Sequence, residues 1–454
     1  MPGEDGAGTD LAGGLFAPIV VPVALIEATS ERAFLQALLD AEAALAQAEE
    51  EVGILPPGTA AAITQACHAD LFDLDELGSA ARLGGNPAIP LVSALRRVLK
   101  DNSDWVHFGA TSQDIIDTAS MLVAKRATAL IETDLAVACD ACASLCERHR
   151  STLMVGRTLL QHALPITFGL KAAGWLVAAT ECRALLGLAR KRLAVQLGGA
   201  AGTLASLGDQ GTEVISAMAR SLELGEPVLP WHTNRTTVAE LASCLGILAG
   251  VGAKISKDVA LMMQTEVREA FEPGAPGRGG SSTLPQKRNP VAAAAVASAH
   301  RRSSALVSVI LSAMDDEHER ALGGWQAEWE TMVQLLRLCG GAISHVCDTL
   351  GGLEVDTHAM AENLAISGDA VLAERVVLNL LPSLGRSPAS DAVARALERA
   401  QSSGRGFRAE LLDDAAVASV LSQDRLSQLL EPSGYLGSTQ AFIDAALRAH
   451  REAR

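Results

Sequence analysis

From Thr111 to Val155 the chain runs for 45 residues without a glycine or a proline. These two residues interrupt helices, glycine through backbone entropy and proline through its missing N–H. A stretch this long without either permits a helix far beyond the average of about 11–12 residues. Further helical stretches read at about 167–197, 236–270, 290–320 and 326–350, the last ending at Gly351-Gly352. Near the N-terminus, Ser30 suits the cap of a helix running to Glu51, with Phe34, Leu38, Ala41, Leu45 and Ala48 on one stripe. Gly53, Pro56 and Pro57 end it. Asn289-Pro290 has the form of another helix start, Asn as cap and Pro as first helical residue. Alternating strand patterns are nearly absent, as are 20–50-residue repeats and sustained heptads.

Composition agrees with closely packed helices. Hydrophobic residues make up 49% of the 454 but aromatics only 3%, with one tyrosine, so the apolar content is mainly Ala, Leu and Val. The expected fold class is all-α, in three helical domains: residues 1–105, a long central bundle over 106–352, and a small domain over 353–454.

The formal charge of −16 argues against nucleic acid as a partner, since phosphate backbones are bound by basic surfaces. It permits a small anionic substrate held by a few local cations. No basic amphipathic helix points to a membrane surface. Apolar stretches such as Leu241–Ala253 and Ala305–Met314 read as too short to span a bilayer. With an acidic, Gly-rich start that lacks a basic leader, the expectation is a soluble cytoplasmic protein.

Eight cysteines are too few for a disulfide scaffold. Cys139, Cys142 and Cys146 share a helix face with His149, which raises a metal site. On one helix, however, Cys139 and Cys146 lie roughly 10 Å apart along the axis, too far to ligate one ion. Apolar packing is the expected role. The run Asp315–Arg320 is read as a polar face, because contiguous acids on a helix cannot all meet one ion. No metal and no cofactor are expected.

The chemistry concentrates between Glu272 and Pro290. Glycines 274, 277, 279 and 280 loosen the first half; Ser281, Ser282, Lys287, Arg288 and Asn289 then bring hydroxyls, cations and an amide to a helix start. Helix N–H groups and ammonium or guanidinium charges in that arrangement suit a carboxylate. The loop can also close over a substrate.

The segment GSSTLPQKRNP, residues 280–290, resembles the GSSxMPxKxNP signature of the fumarase/aspartase superfamily, with Leu284 in place of Met. HFGATSQD at 107–114 resembles that superfamily's HxGxTSxD block, and GRTLLQHALPITFGLK at 156–171 its second block. The resemblance runs from about residue 15 to the C-terminus. It implies a homotetramer whose central helices form a 20-helix core, with each active site shared among three subunits. It also makes Ser281 the general base, and Lys287 the group that stabilises the charge developing on the substrate carboxylate. Asn289 orients that carboxylate. Thr111 and Ser112 become donors to a second carboxylate, and Arg157 and Thr158 extend the anion pocket. Ser282, Arg288 and Arg235 join the binding set. His107 reads either as a substrate contact or as a buried histidine fixing the bend before the long helix.

One departure is informative. Many eliminating members carry GRTH where this chain has Leu159, and that histidine assists protonation of the leaving group. Leucine supplies no proton. An amine or alkoxide would depart poorly, whereas a carboxylate, with a conjugate acid near pKa 4, needs no proton at pH 7. Opening a lactone, or closing one with an internal carboxylate, involves just such a group. His162 is the candidate substitute acid or binding group; its alternative is a structural histidine beside Pro165. The segments Gly85–Val92, Trp231–Arg235 and Trp325–Trp329 likewise resemble the muconate-type cycloisomerase branch, although Thr236 and Thr237 replace an expected Asp-Arg. The tryptophans suit either the wall of a flat substrate's pocket or buried anchors. The substrate expected is a small tricarboxylate. A fumarate-releasing lyase, adenylosuccinate lyase first, is the alternative enzyme, and a non-catalytic helical scaffold the alternative of another class.

Overall fold

The computed structural model describes residues 14–99, 101–281 and 283–453. It is predominantly helical, as the composition requires, and divides into two compact units. One comprises the chain up to Ala136 with Cys182–Lys254 and Ala292–Val346. The other comprises Val137–Glu181, Ile255–Val291 and the chain from Cys347 onward. Six long helices, labelled in chain order, are α1 (Glu31–Glu51), α2 (Ser112–Arg148), α3 (Phe168–Lys191), α4 (Thr236–Met262), α5 (Val291–Ser312) and α6 (Gly324–Gly351).

The Gly- and Pro-free stretch becomes α2, 37 residues long. Helix α1 starts where Ser30 caps it, the Ser30 Oγ accepting the Ala33 N–H at 3.1 Å. Its burial is wider than a single stripe, since Leu35, Ala37, Leu39, Ala44 and Ala46 are also enclosed. A helix enclosed on more than one face packs against several neighbours, as in a bundle. Two glutamates are carried in with it. Glu49 is 1% exposed, and neither carboxyl oxygen has a hydrogen-bond partner among the described residues. Burial, with a smaller contribution from Glu42, pushes its carboxyl up to about 9.

That shift has a stability consequence. In the unfolded chain Glu49 ionises near 4.5, while in the folded chain it holds its proton to about 9. The contribution of Glu49 to stability is therefore fully present below pH 4.5 and is lost progressively as pH rises toward 9. Glu49→Gln is expected to raise stability at pH 8 by about 1–3 kcal/mol and to leave it nearly unchanged at pH 4.5. Urea unfolding at the two pH values checks this; an equal effect at both would contradict it.

Strands are few among the described residues, as expected, although the sequence reading places none of them. Strands β1 (Leu153–Thr158) and β2 (Gln161–Thr167) form an antiparallel hairpin, and β3 (Ala270–Phe271) pairs with β4 (Glu354–Val355). Gly156 and Pro165 hide the first hairpin in the sequence. The register slips at a bulge between Val155 and Arg157, and Gly156 leaves no room for a side chain, because a Cβ there would lie 2.9 Å from the Leu164 carbonyl. The two-residue turn is Leu159-Leu160, at φ 49° and 65°. Both angles belong to a type I′ turn, which ordinarily selects Asn and Gly.

Helix limits also shift. Helix α5 begins at Val291, one residue after the expected Pro290, and ends at Ser312, so the acidic run 315–320 is a loop and not a helix face. By length and composition alone, α3 and α4 are apolar enough to cross a membrane, which amends the sequence reading. About half of each is buried within the protein. Cys139, Cys142 and Cys146 are all enclosed on α2, and burial pushes the Cys146 thiol up to about 12. They are packed as small apolar groups. In the second unit, helix α7 (Thr357–Ile366) adjoins β1, and the C-terminal helices bury a core that includes Leu380, Val393, Ala396 and Leu411.

Candidate active site

In the first unit, the segment 107–114 is organised by its last residue. Asp114 is fully buried at the start of α2. Its Oδ2 accepts the N–H groups of Thr111 and Gly199, each at 2.9 Å, and its Oδ1 accepts the Gly198 N–H at 2.9 Å. The Oδ1 also lies 2.7 Å from His232 Nε2. Thr111-x-x-Asp114 is thus half of a capping box, the acid reaching back to the capping residue's own N–H. Thr111 and Ser112 are thereby fixed, half-buried, at a helix N-terminus where an anion is favoured. Gly109 is indispensable to the approach: at φ 67°, a Cβ would strike the Leu207 side chain at 2.5 Å.

His107 sits at φ 62°, with Nδ1 2.7 Å from Glu42 Oε1. Burial disfavours its charge, but the Glu42 carboxylate outweighs that and raises the imidazole above its usual range. This contact fits a histidine fixing the bend ahead of α2.

Arg235 requires the plainest correction. It is only 3% exposed. Its Nη1 and Nη2 meet Asp117 at 2.9 and 3.1 Å, its Nε meets Glu328 Oε1 at 3.0 Å, and Nη2 also reaches Glu328 Oε2. Its guanidinium lies 4.8 Å from the Trp231 ring centroid, and Trp325 Nε1 donates to Asp117 Oδ1 at 2.9 Å. A guanidinium enclosed by two carboxylates is not offered to a substrate, so Arg235 is a structural ion pair. Trp231 and Trp325 are buried anchors of that network.

The second unit carries the remaining candidates. Arg157, on β1, forms a two-pronged pair with the buried Glu269, Nη1 to Oε2 at 2.8 Å and Nη2 to Oε1 at 2.7 Å. Asn363 Nδ2 adds a bond to the same carboxylate at 2.9 Å. Thr158 is exposed, and Leu159, at the hairpin tip, is 97% exposed. His162 faces Arg157 across the hairpin, but its Nδ1 lies 2.8 Å from Ser367 Oγ, beside a shallow depression that includes Glu374. That depression is separate from the cleft of the signature loop.

The signature loop closes on itself. Asn289 donates its N–H to Gly279 O at 2.8 Å, and its side-chain amide reaches Gly280 O at 3.5 Å. Gly279 has φ 67°, and a Cβ there would lie 2.6 Å from Asn289 O. Within the loop, Ser281 Oγ accepts the N–H groups of Leu284 at 3.1 Å and Thr283 at 3.3 Å. Ser282 lies outside the described residues. Lys287, Arg288 and Asn289 line an open cleft of about 1140 Å³ running to Glu354, Thr357 and His358. Arg288 pairs with both Glu354 oxygens at 2.9 Å. That pairing, with the Gly274 N–H, holds the Glu354 carboxyl below its usual range. Of the four cations read from the sequence, three are thus already paired, and Lys287 alone has no carboxylate partner among the described residues. The partners Glu269 and Glu354 were not foreseen, and nothing local marks them. Asp114 had a local mark, its capping-box spacing from Thr111.

A helical chain with this loop, this Thr-Ser helix start and this hairpin defines a lyase of the superfamily the motifs resemble. The family model described as "Lyase" matches residues 21–302, and "Adenylosuccinate lyase C-terminus" matches 369–446. The chain belongs to this lyase family. Among its relatives, 3-carboxy-cis,cis-muconate cycloisomerase of Bradyrhizobium diazoefficiens is 45% identical, over 95% of this chain and 97% of its own. Nitrosuccinate lyase of Streptomyces davaonensis is 40% identical, over 96% and 94%. The crystal structure of 3-carboxy-cis,cis-muconate lactonizing enzyme from Pseudomonas putida superposes with a TM-score of 0.91 at 42% identity, covering 97% of this chain and 99% of that one.

Proposed function

We propose that the protein is a 3-carboxy-cis,cis-muconate cycloisomerase, reversibly closing that tricarboxylate to 4-carboxymuconolactone in protocatechuate catabolism. The single observation that carries this beyond the family is Leu159. An apolar side chain on an exposed hairpin tip stands where members that expel an amine or alkoxide carry a proton donor. A carboxylate nucleophile, or leaving group in reverse, requires none.

In the forward direction one substrate carboxylate adds to the conjugated diene. Electron density moves onto a second carboxylate, where Lys287 supplies positive charge and Asn289 a fixed amide. Ser281 then gives a proton to the adjacent carbon; in reverse it takes that proton. The two N–H groups donated to Ser281 Oγ favour its ionised form, which a free serine would not reach. Thr111 and Ser112 bind a further carboxylate at the N-terminus of α2. Arg157 and Arg288 act with their carboxylate partners as rigid walls, and Thr158 and Ser282 extend the binding set. His107 is read here as the histidine that orients the 107–114 segment through Glu42. His162 is the candidate second acid. These steps use side chains and need no cofactor.

Each complete site draws on three chains of a soluble cytoplasmic homotetramer. Apolar side chains left exposed on α3 and α4, such as Leu188 and Ile247, support association through helix faces. The separate family match over 369–446 supports a C-terminal segment from about 353, beside segments 1–105 and 106–352. The 40% identity to a nitrosuccinate lyase supports a second reading, elimination to fumarate. Product chromatography with 3-carboxy-cis,cis-muconate, nitrosuccinate and adenylosuccinate decides between them. The lactone is expected from the first and no fumarate from the others; fumarate alone would reverse the order.

A further inference from the structure

Arg268 and Glu269 lie between the end of α4 and β3, the first exposed and the second buried. Glu269 turns inward to Arg157, while Arg268 is exposed and lines the cleft that holds Lys287 and Asn289. The reversal depends on backbone: Arg268 has φ 54°, a left-handed conformation open to glycine but disfavoured for a residue with a Cβ. Its N–H donates to Gln264 O at 2.9 Å, and the Glu269 N–H returns to Met262 O at 3.0 Å, so the turn is held from both sides. At this φ the backbone favours glycine, so Arg268 occupies the position at a local conformational cost.

That side chain has no ion pair among the described residues, in a cleft whose Arg288 is neutralised by Glu354. Asp356, also in the cleft, accepts the N–H groups of His358 and Ala359 at the start of α7 and is balanced there. Arg268 and Lys287 are therefore the two guanidinium or ammonium groups of the cleft without a carboxylate partner among the described residues. We propose that Arg268 is a specificity-determining residue that binds a carboxylate of the substrate other than the one at Lys287, and so favours tricarboxylates over dicarboxylates. This rests on the cycloisomerase reading for the substrate, but the geometry calls only for an anion.

The test measures binding of two inert anions, tricarballylate and glutarate, by calorimetry to the full-length wild type and to Arg268→Gln, Arg268→Lys and Arg268→Gly. The wild type is expected to prefer tricarballylate. Arg268→Gln should lose tricarballylate affinity on the order of 10-fold with little change for glutarate. Arg268→Lys should recover part of it. Arg268→Gly should show the same loss yet unfold at a higher temperature, because the left-handed backbone is relieved. Unchanged discrimination in Arg268→Gln, or no binding of either anion by the wild type, would overturn the assignment. Failure of the wild type to lactonise 3-carboxy-cis,cis-muconate, with the anion results as expected, would instead remove the functional reading and leave Arg268 as an anion contact.

Discussion

Ser281→Ala is expected to lower kcat for lactonisation by about 10³-fold while changing unfolding free energy by less than about 0.5 kcal/mol. The separation of the two effects follows from where the side chain sits. Ser281 lies half-buried in the signature loop, and its Oγ accepts two local N–H groups and makes no long-range hydrogen bond among the described residues. In the proposed mechanism alanine removes the group that moves the proton at carbon, while the loop base stays closed through Asn289 and Gly279. The substrate contact proposed for Lys287 is untouched, so KM should change far less than kcat. Rapid-mixing kinetics together with urea unfolding of the same preparation checks both halves. A variant that keeps wild-type kcat would remove Ser281 from the chemistry.

Arg235→Met should do the opposite, costing about 3–5 kcal/mol of stability. Asp117 and Glu328 would remain in the first unit's interior with their shared guanidinium gone, and Trp325 would stay bound to one of them. Burial already raises the Glu328 carboxyl, and Arg235 pulls it back down. Without the arginine it rises further and retains its proton in the folded chain. The loss of stability therefore grows as pH rises above the range where the unfolded carboxyl ionises, and is smaller at pH 5 than at pH 8. Urea unfolding at both pH values measures this. If Arg235 were a substrate contact, the variant would instead keep its stability and show a raised KM.

The parts of the fold legible in the sequence were those written locally. Ser30 stands at the start of α1, the Gly- and Pro-free stretch is α2, and the serine-rich loop precedes α5, because caps, breakers and glycines act within a few residues. The β1–β2 hairpin was not legible. Leu159-Leu160 lacks the usual turn chemistry, and Gly156 and Pro165 interrupt the alternation a strand would show. The candidate site divides in the same way. Ser281, Lys287 and Asn289 follow from one contiguous motif. The partners that change the meaning of the cations do not: Glu269 is 112 residues from Arg157, Glu354 is 66 from Arg288, and Glu328 is 93 from Arg235. An arginine seen alone reads as an available charge; folded beside a carboxylate it becomes a wall. Arg268 was missed for the converse reason, since nothing in its neighbourhood announces a left-handed turn that aims it into the cleft.

The most direct measurement of the central claim is the ultraviolet absorbance of 3-carboxy-cis,cis-muconate on mixing with the wild-type protein. Closure of the lactone removes the conjugated diene, so absorbance is predicted to fall to an equilibrium value set by the reversible reaction, and the Ser281→Ala protein should barely change it. Steady diene absorbance with the wild type, alongside fumarate release from nitrosuccinate or adenylosuccinate, would contradict the account.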